Sequence, residues 1–465
     1  MTTTVSTTTE ARHRSYPGLA LAILVAGQLM LMLDSTVVTV ALPQIRAGLH
    51  VSPGTIAWVL DGYALAFGGL LLLGGRVGDL LGRRRLFVAG VALFTLASLV
   101  GGLSVNTGML LAARAAQGVA AALTAPSALA LIVTNFAGPA RVRAISWYSA
   151  ISGAGGSIGL LLGGMLTAWV SWRWVLIINV PIGIALVVLA PLVVAEAPRH
   201  RHRLDVAGAL TGTLGVTALA YGLLHAATAG WGTAAGLGAF AVAVPALAAF
   251  VLIEWRVAEP LLPLRLFADR NRTGGYLNML LLPAAMFGVF FFVSQFLGIV
   301  QRYDALRTGL AFLPLTVLSF GAARLAPRLI DRYGARTLMI GGAVLLGAGT
   351  AWLSRLHADS GYWGAVFGPM VLFGLGVGLS FVPASATILT SVAPADSGAA
   401  SGTLQTLQQL GGAVGLAALV TASGIAGGTG LADGAGAAFA LATALVAVTL
   451  VSTVLVVRRR RPATA

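Results

Sequence analysis

Fourteen stretches of this chain are apolar over roughly the 20 residues that a helix needs to cross a bilayer core about 30 Å thick. They run over 18–42, 55–75, 86–105, 109–136, 144–170, 174–195, 206–227, 236–255, 273–299, 309–325, 337–355, 364–392, 397–425 and 434–457. Little chain is left between them, so nearly the whole protein is expected in a membrane as an all-α, polytopic fold. Composition agrees: 58% of residues are hydrophobic and only 9% charged, too few to cover a soluble domain. The first stretch is longer than the apolar region of a secretory leader and carries Asp34, so it reads as a retained helix.

A formal charge of +15 raises the question of nucleic acid. All 29 basic residues are arginine, however, and their positions follow the loops. With both termini on one side, 23 of them fall there, among them Arg76, Arg83, Arg84, Arg85, Arg141, Arg143, Arg324, Arg328 and Arg336. Five (Arg46, Arg173, Arg302, Arg307 and Arg355) fall on the other side, and Arg114 lies within a span. The positive-inside rule then makes the arginine-rich side cytoplasmic, with both termini on it, and an even number of spans agrees. No nucleic-acid partner is expected. The chain has no cysteine, and its six histidines lie mostly in tails and loops, which argues against a metal site and a catalytic constellation. Without lysine no GxxxxGK[ST] nucleotide loop can exist. A transporter without cofactor, and not an enzyme, is the expectation.

The chain also repeats. After the second span it reads RVGDLLGRRRLFVAG and after the tenth RLIDRYGARTLMIGG, so that Arg76, Asp79, Gly82, Arg84, Leu86 and Gly90 match Arg328, Asp331, Gly334, Arg336, Leu338 and Gly342 at one offset. Spans 1 to 6 and 9 to 14 then form equivalent halves with spans 7 and 8 inserted. The expected division is a tail over 1–17, a six-helix bundle over 18–198, the inserted pair over 199–256, a connector over 257–272, a second bundle over 273–457 and a basic tail over 458–465. Two parallel halves that rock about a central site are a transporter architecture.

Three features carry chemistry. The loop GGRVGDLLGRRR has glycines for a tight turn and an acid that can meet a helix N-terminus or an arginine. Gly75, Asp79, Gly82, Arg83 and Arg84, with Asp331 and Arg336 of the repeat, are candidates for a conformational latch; a plain charged anchor is the alternative. Along the helices, Asp34 falls about 12 Å, Asp61 about 9 Å and Arg114 about 8 Å below the outer surface. Charges at such depth are costly and need partners. Desolvation favours the neutral acid and a nearby cation favours the carboxylate, so Asp34 under both influences is suited to carry a proton, with Arg114 and Asp61 as associates. A static pair of Asp34 with Arg114 is the other reading, and snorkelling to the surface is another for Arg114. Lastly, Gly155, Gly159, Gly163 and Gly164 give the fifth span a thin face for close helix packing.

These stretches resemble the major facilitator superfamily, specifically its fourteen-helix drug:proton antiporter group, over residues 18 to 457, and are similar to antibiotic exporters of actinomycetes such as methylenomycin resistance proteins. The loop at Gly74 to Arg85 resembles the signature loop between helices 2 and 3. LLAARAAQGVAAAL resembles the helix 4 motif, in which the arginine matching Arg114 is linked to proton coupling, with Gln117 and Gly118 also matching. SGAGGSIGLLLGGML, SWRWVLIINVPIG and EWRVAEPLLPLRLF are further matches. The resemblance implies a functional monomer in a bacterial plasma membrane that exports a small hydrophobic or amphipathic drug by alternating access, driven by the proton gradient, with lipid around it. A proton-coupled or facilitative nutrient importer is the alternative. Candidate cavity residues are Gln117, Trp147, Asn278, Phe291, Gln295, Gln405 and Gln408.

Overall fold

The computed structural model describes residues 17–51, 53–56, 58–197, 205–257, 260–393, 396–426 and 431–458. Residues 1–16 of the expected N-terminal tail, Arg199, Arg201, Arg203 and the basic tail beyond Arg458 lie outside the described residues, and Pro17 belongs to α1 rather than to the tail. Apolar periodicity and length produce long helices in the order α1 (Pro17–Leu49), α2 (Trp58–Leu81), α3 (Arg83–Gly102), α4 (Thr107–Asn135), α5 (Gly138–Trp169), α6 (Trp174–Val193), α7 (Val206–Ala229), α8 (Ala234–Arg256), α9 (Arg270–Gln295), α10 (Leu306–Tyr333), α11 (Ala335–Leu353), α12 (Phe367–Leu389), α13 (Ser397–Ala426) and α14 (Leu431–Val456). Over the described residues twelve are long and apolar enough to cross a membrane; the other two, α5 and α13, have 32 and 30 residues. The protein is a multi-pass, all-α membrane protein.

Several helices start at a side-chain cap. Asn106, Asp205, Asp269 and Asp304 each accept a backbone N–H three residues on, which starts α4, α7, α9 and α10. Among the expected spans that are too short, α1 continues past Leu42 to Leu49, and α10 covers Leu306–Tyr333 rather than 309–325. Polar residues at both places read as loop in the sequence but extend the helices.

α1 to α6 pack as one bundle and α9 to α14 as another. The inserted α7 and α8 pack on each other, and α7 lies against both α2 and α13, where the halves meet. Thr217 of α7 fills the space a side chain at Gly69 of α2 would need. The sequence repeat has a structural counterpart. Gly82 and Gly334 both hold positive φ, 103° and 81°, before α3 and α11, a conformation that disfavours other residues. Arg84 donates to the carbonyls of Pro191 and Val194 at 3.2 and 3.1 Å, at the end of α6. Arg336 donates to the carbonyl of Val454 at 2.8 Å, at the end of α14. Each arginine thus fastens the last helix of its own half at the carbonyl-rich end, where a cation is favoured.

Candidate functional site

The first bundle encloses a charged cluster. Asp34 on α1 is 1% exposed and Arg114 on α4 is fully buried. The Asn106 cap sets α4 so that Arg114 lies two turns inside it. Gly118 has no side chain where one would press on the Tyr63 carbonyl of α2, and the resulting close approach lets Arg114 Nε donate to the Val59 carbonyl at 2.9 Å. Its Nη1 donates to Asp34 Oδ2 at 2.5 Å and to Gln117 Oε1 at 2.8 Å. The Tyr63 ring lies 4.5 Å from the guanidinium carbon.

The other carboxylate oxygen is held as firmly. Asp34 Oδ1 accepts from Gln117 Nε2 at 2.9 Å and from Asn179 Nδ2 at 3.0 Å. Asn179 opens the longer segment of α6 just past a break at Ile178, and is fully buried. Gln117 Nε2 also donates to Ser98 of α3 at 2.8 Å. Every partner of Asp34 is a donor, which is the arrangement of an ionised carboxylate. Helices α1, α4 and α6 meet at Asp34 itself, and α2 and α3 join the cluster through Arg114 and Gln117.

The sequence singled out Asp34, Arg114 and Gln117 but not Asn179, Ser98 or Tyr63. Gln117, a cavity candidate in the sequence, belongs to this cluster. Asp61 is half-buried in the first turn of α2, with no hydrogen bond or ion pair among the described residues, so it is not part of the cluster.

The latch candidates separate into two groups. Asp79 is 2% exposed and accepts from Arg83 at 2.9 and 2.7 Å. It lies against Gly398 in the first turn of α13, across the seam between the halves. Beside it, a side-chain carbon at Gly75 would come within 2.6 Å of the Gly398 carbonyl, so α2 and α13 meet backbone to backbone here. Gly75, Asp79 and Arg83 therefore occupy an interhelical closure on the arginine-rich face, where an acid meets a helix N-terminus. Gly82 sets the turn beside it. Arg84 and Arg336 serve the helix ends described above, and Asp331 is exposed with no ion pair among the described residues. The repeat conserves the turn and the anchor but not the closure.

Gly398→Ala tests this closure, because the added methyl would collide with the Asp79 carboxylate. Overpacking of that kind costs about 1–3 kcal/mol. The expected result is faster alkylation of a Leu71→Cys reporter, placed in the seam of a chain with no native cysteine. An unchanged rate would show that the contact does not hold the seam shut.

The remaining candidates are scattered. Asn278 donates to Thr453 at 2.9 Å and ties α9 to α14. Phe291 is 36% exposed, its ring edge-on to Phe292 at 5.1 Å. Gln295 is half-buried near the end of α9. Gln408 donates to the Met279 sulfur at 3.2 Å. Gln405 is buried beside Tyr148 of α5, whose hydroxyl donates to Gln28 of α1 at 2.7 Å. Gln28, Tyr148 and Gln405 thus form a polar contact between the halves, and only Gln405 stands out in the sequence. Trp147 stands at the arginine-rich end of the α5–α10 seam, edge-on to Phe320 at 5.2 Å. Gly155, Gly159 and Gly163 face Met32, Thr36 and Val37 of α1, and Gly164 is buried on the same helix.

Comparison with known proteins fits this architecture. The profile of the Major Facilitator Superfamily matches residues 24–416. The chain belongs to the Major Facilitator Superfamily. Within this superfamily it is 44% identical to the cephamycin export protein CmcT of Amycolatopsis lactamdurans, over 87% of this chain and 85% of that protein. It is 42% identical to the puromycin resistance protein pur8 of Streptomyces alboniger, over 87% of this chain and 81% of that protein. Among solved structures, the human organic anion transporter MFSD10 superposes with a TM-score of 0.69 at 16% identity, covering 95% of this chain and all of that one, a likeness of fold.

Proposed function

We propose that this chain is a proton-coupled exporter of a small hydrophobic or amphipathic antibiotic, working by alternating access as a monomer in a bacterial plasma membrane. Export rests on the relatives: two at over 40% identity and across most of their length are named for antibiotic export or resistance. Proton coupling rests on one observation, the buried Asp34 carboxylate paired with the buried Arg114. A proton arriving on Asp34 removes the charge that Arg114, Gln117 and Asn179 are arranged around, and so offers two discrete states for the first bundle. The arginine-rich face is taken as cytoplasmic with both termini on it, by the positive-inside rule.

The two relatives name different cargoes at nearly equal identity, so identity does not choose between cephamycin, puromycin and a third compound. The discriminating experiment is a susceptibility screen in a host stripped of its own pumps, followed by efflux of any hit from proteoliposomes under an imposed pH gradient. Export is supported by raised resistance that collapses when the gradient is dissipated. Accumulation of the compound inside the producing cells would favour the importer.

A further inference from the structure

The halves meet along two seams, and only the one between α2 and α13 has the acid Asp79 in it. At the α5–α10 seam, on the same face, lies a cleft of about 270 Å³. Arg143 on α5 and Arg324 and Arg328 on α10 line it, and its lining holds no acid. All three arginines are exposed, and none has an ion pair or side-chain hydrogen bond among the described residues. Asp331, the counterpart of Asp79, is exposed one turn beyond Arg328 and does not line the cleft. The cleft has an apolar side: Trp147 and Phe320 meet edge to face across the seam, the Arg324 guanidinium lies 5.9 Å from the Trp147 ring, and Ala150 is buried beneath.

Like charges brought from two halves into one small cleft repel, so closing this seam calls for an anion. Arg143 lies in the second turn of α5 and Arg328 in the second-last turn of α10, and at such helix ends the abundant anion of a membrane is a phospholipid headgroup, which basic pockets between helices on the cytoplasmic side suit. We propose that this cleft binds the phosphate of an anionic phospholipid of the cytoplasmic leaflet, its acyl chains running out along the lipid-facing side of α5 and α10. The bound phosphate supplies at this seam the negative charge that Asp79 supplies at the other, and so favours the state closed on the arginine-rich face. Forked guanidiniums from both halves grip one phosphate, which explains why arginine pairs across the seam need no protein acid. The leaflet assignment rests on the orientation proposed above; the cleft and its charge do not.

The test uses the full chain in vesicles of phosphatidylcholine with or without phosphatidylglycerol, and an Ala150→Cys reporter alkylated from either side of the membrane. Phosphatidylglycerol is expected to slow alkylation on the order of tenfold in the parent and to leave it unchanged in Arg143→Gln/Arg324→Gln/Arg328→Gln. Because the three side chains are exposed, these substitutions leave the packing in place, and native mass spectrometry of the same proteins checks it directly. The parent should retain phosphatidylglycerol over phosphatidylcholine, and the triple variant should not. Equal retention by both proteins overturns the site. Equal slowing by inorganic phosphate in phosphatidylcholine alone overturns the lipid as its source. Protection seen only from the vesicle side opposite to the cytoplasmic one keeps the anionic lipid but overturns its leaflet, and with it the orientation.

Discussion

Asp34→Asn is expected to insert, fold and bind substrate, yet to lose gradient-driven efflux down to the level of protein-free vesicles. The amide fills the volume of the carboxylate and can still accept on its oxygen from Arg114, so packing in the bundle is preserved. What disappears is the oxygen proposed to take the proton and the negative charge at the centre of the cluster. An amide there also brings its own donors toward those of Gln117 and Asn179, which now meet Asp34 Oδ1 at 2.9 and 3.0 Å. That mismatch is of the order of one lost buried hydrogen bond, about 1–3 kcal/mol, and is small beside the loss of coupling. The measurement is pH-gradient-driven efflux together with substrate-induced proton release in detergent. Retention of both in Asp34→Asn would remove Asp34 from the proton path. Asp61→Asn is the control: half-buried and outside the cluster, it should change neither signal greatly.

How much of this was legible in the sequence depended on how rare each signal is in an apolar helix. A carboxylate and a guanidinium within spans are costly enough to stand out, and depth places Asp34, Asp61 and Arg114 in the outer half of one bundle without choosing between the two acids. Asn179 and Asn278 look alike in the sequence, each an amide in a span, and both are fully buried. Only the tertiary structure puts one against Asp34 and the other against Thr453. Ser98 was hidden for a related reason: many hydroxyls in these helices merely bond the carbonyl four residues back, as Thr124 and Ser146 do. The repeat predicted a turn glycine in both halves, since local sequence determines it, but it offered Arg84 and Arg336 as latch candidates rather than as the helix-end anchors they are. It could not predict that Asp79 would face Gly398 while Asp331 faced solvent, because that depends on a helix more than 300 residues away in one case and on none in the other.

Arg114→Lys separates a static ion pair from a site that changes its charge. A lysine keeps the positive charge, so a purely structural role predicts near-normal behaviour, in contrast to Arg114→Leu, which strands a buried carboxylate at a cost of about 3–5 kcal/mol. Arg114 does more than neutralise. Its Nε reaches Val59, its Nη1 reaches both Asp34 and Gln117, and its plane lies near the Tyr63 ring. One ammonium group is a point charge without that fork, and it cannot span the α2 carbonyl and the α1 carboxylate together. It can also give up its proton when buried, and would then compete with Asp34 for the proton proposed to drive the cycle. The expected result is a protein that inserts and purifies normally, with its efflux optimum displaced on the pH axis and with fewer protons released per substrate bound. Tyr63→Phe serves as companion, since it keeps the ring beside position 114 and removes only a hydroxyl that has no partner among the described residues; its profile should stay near the parent's. A parental pH profile and parental proton release in Arg114→Lys would mean that charge alone matters there, and that the pair holds the bundle together without taking part in coupling.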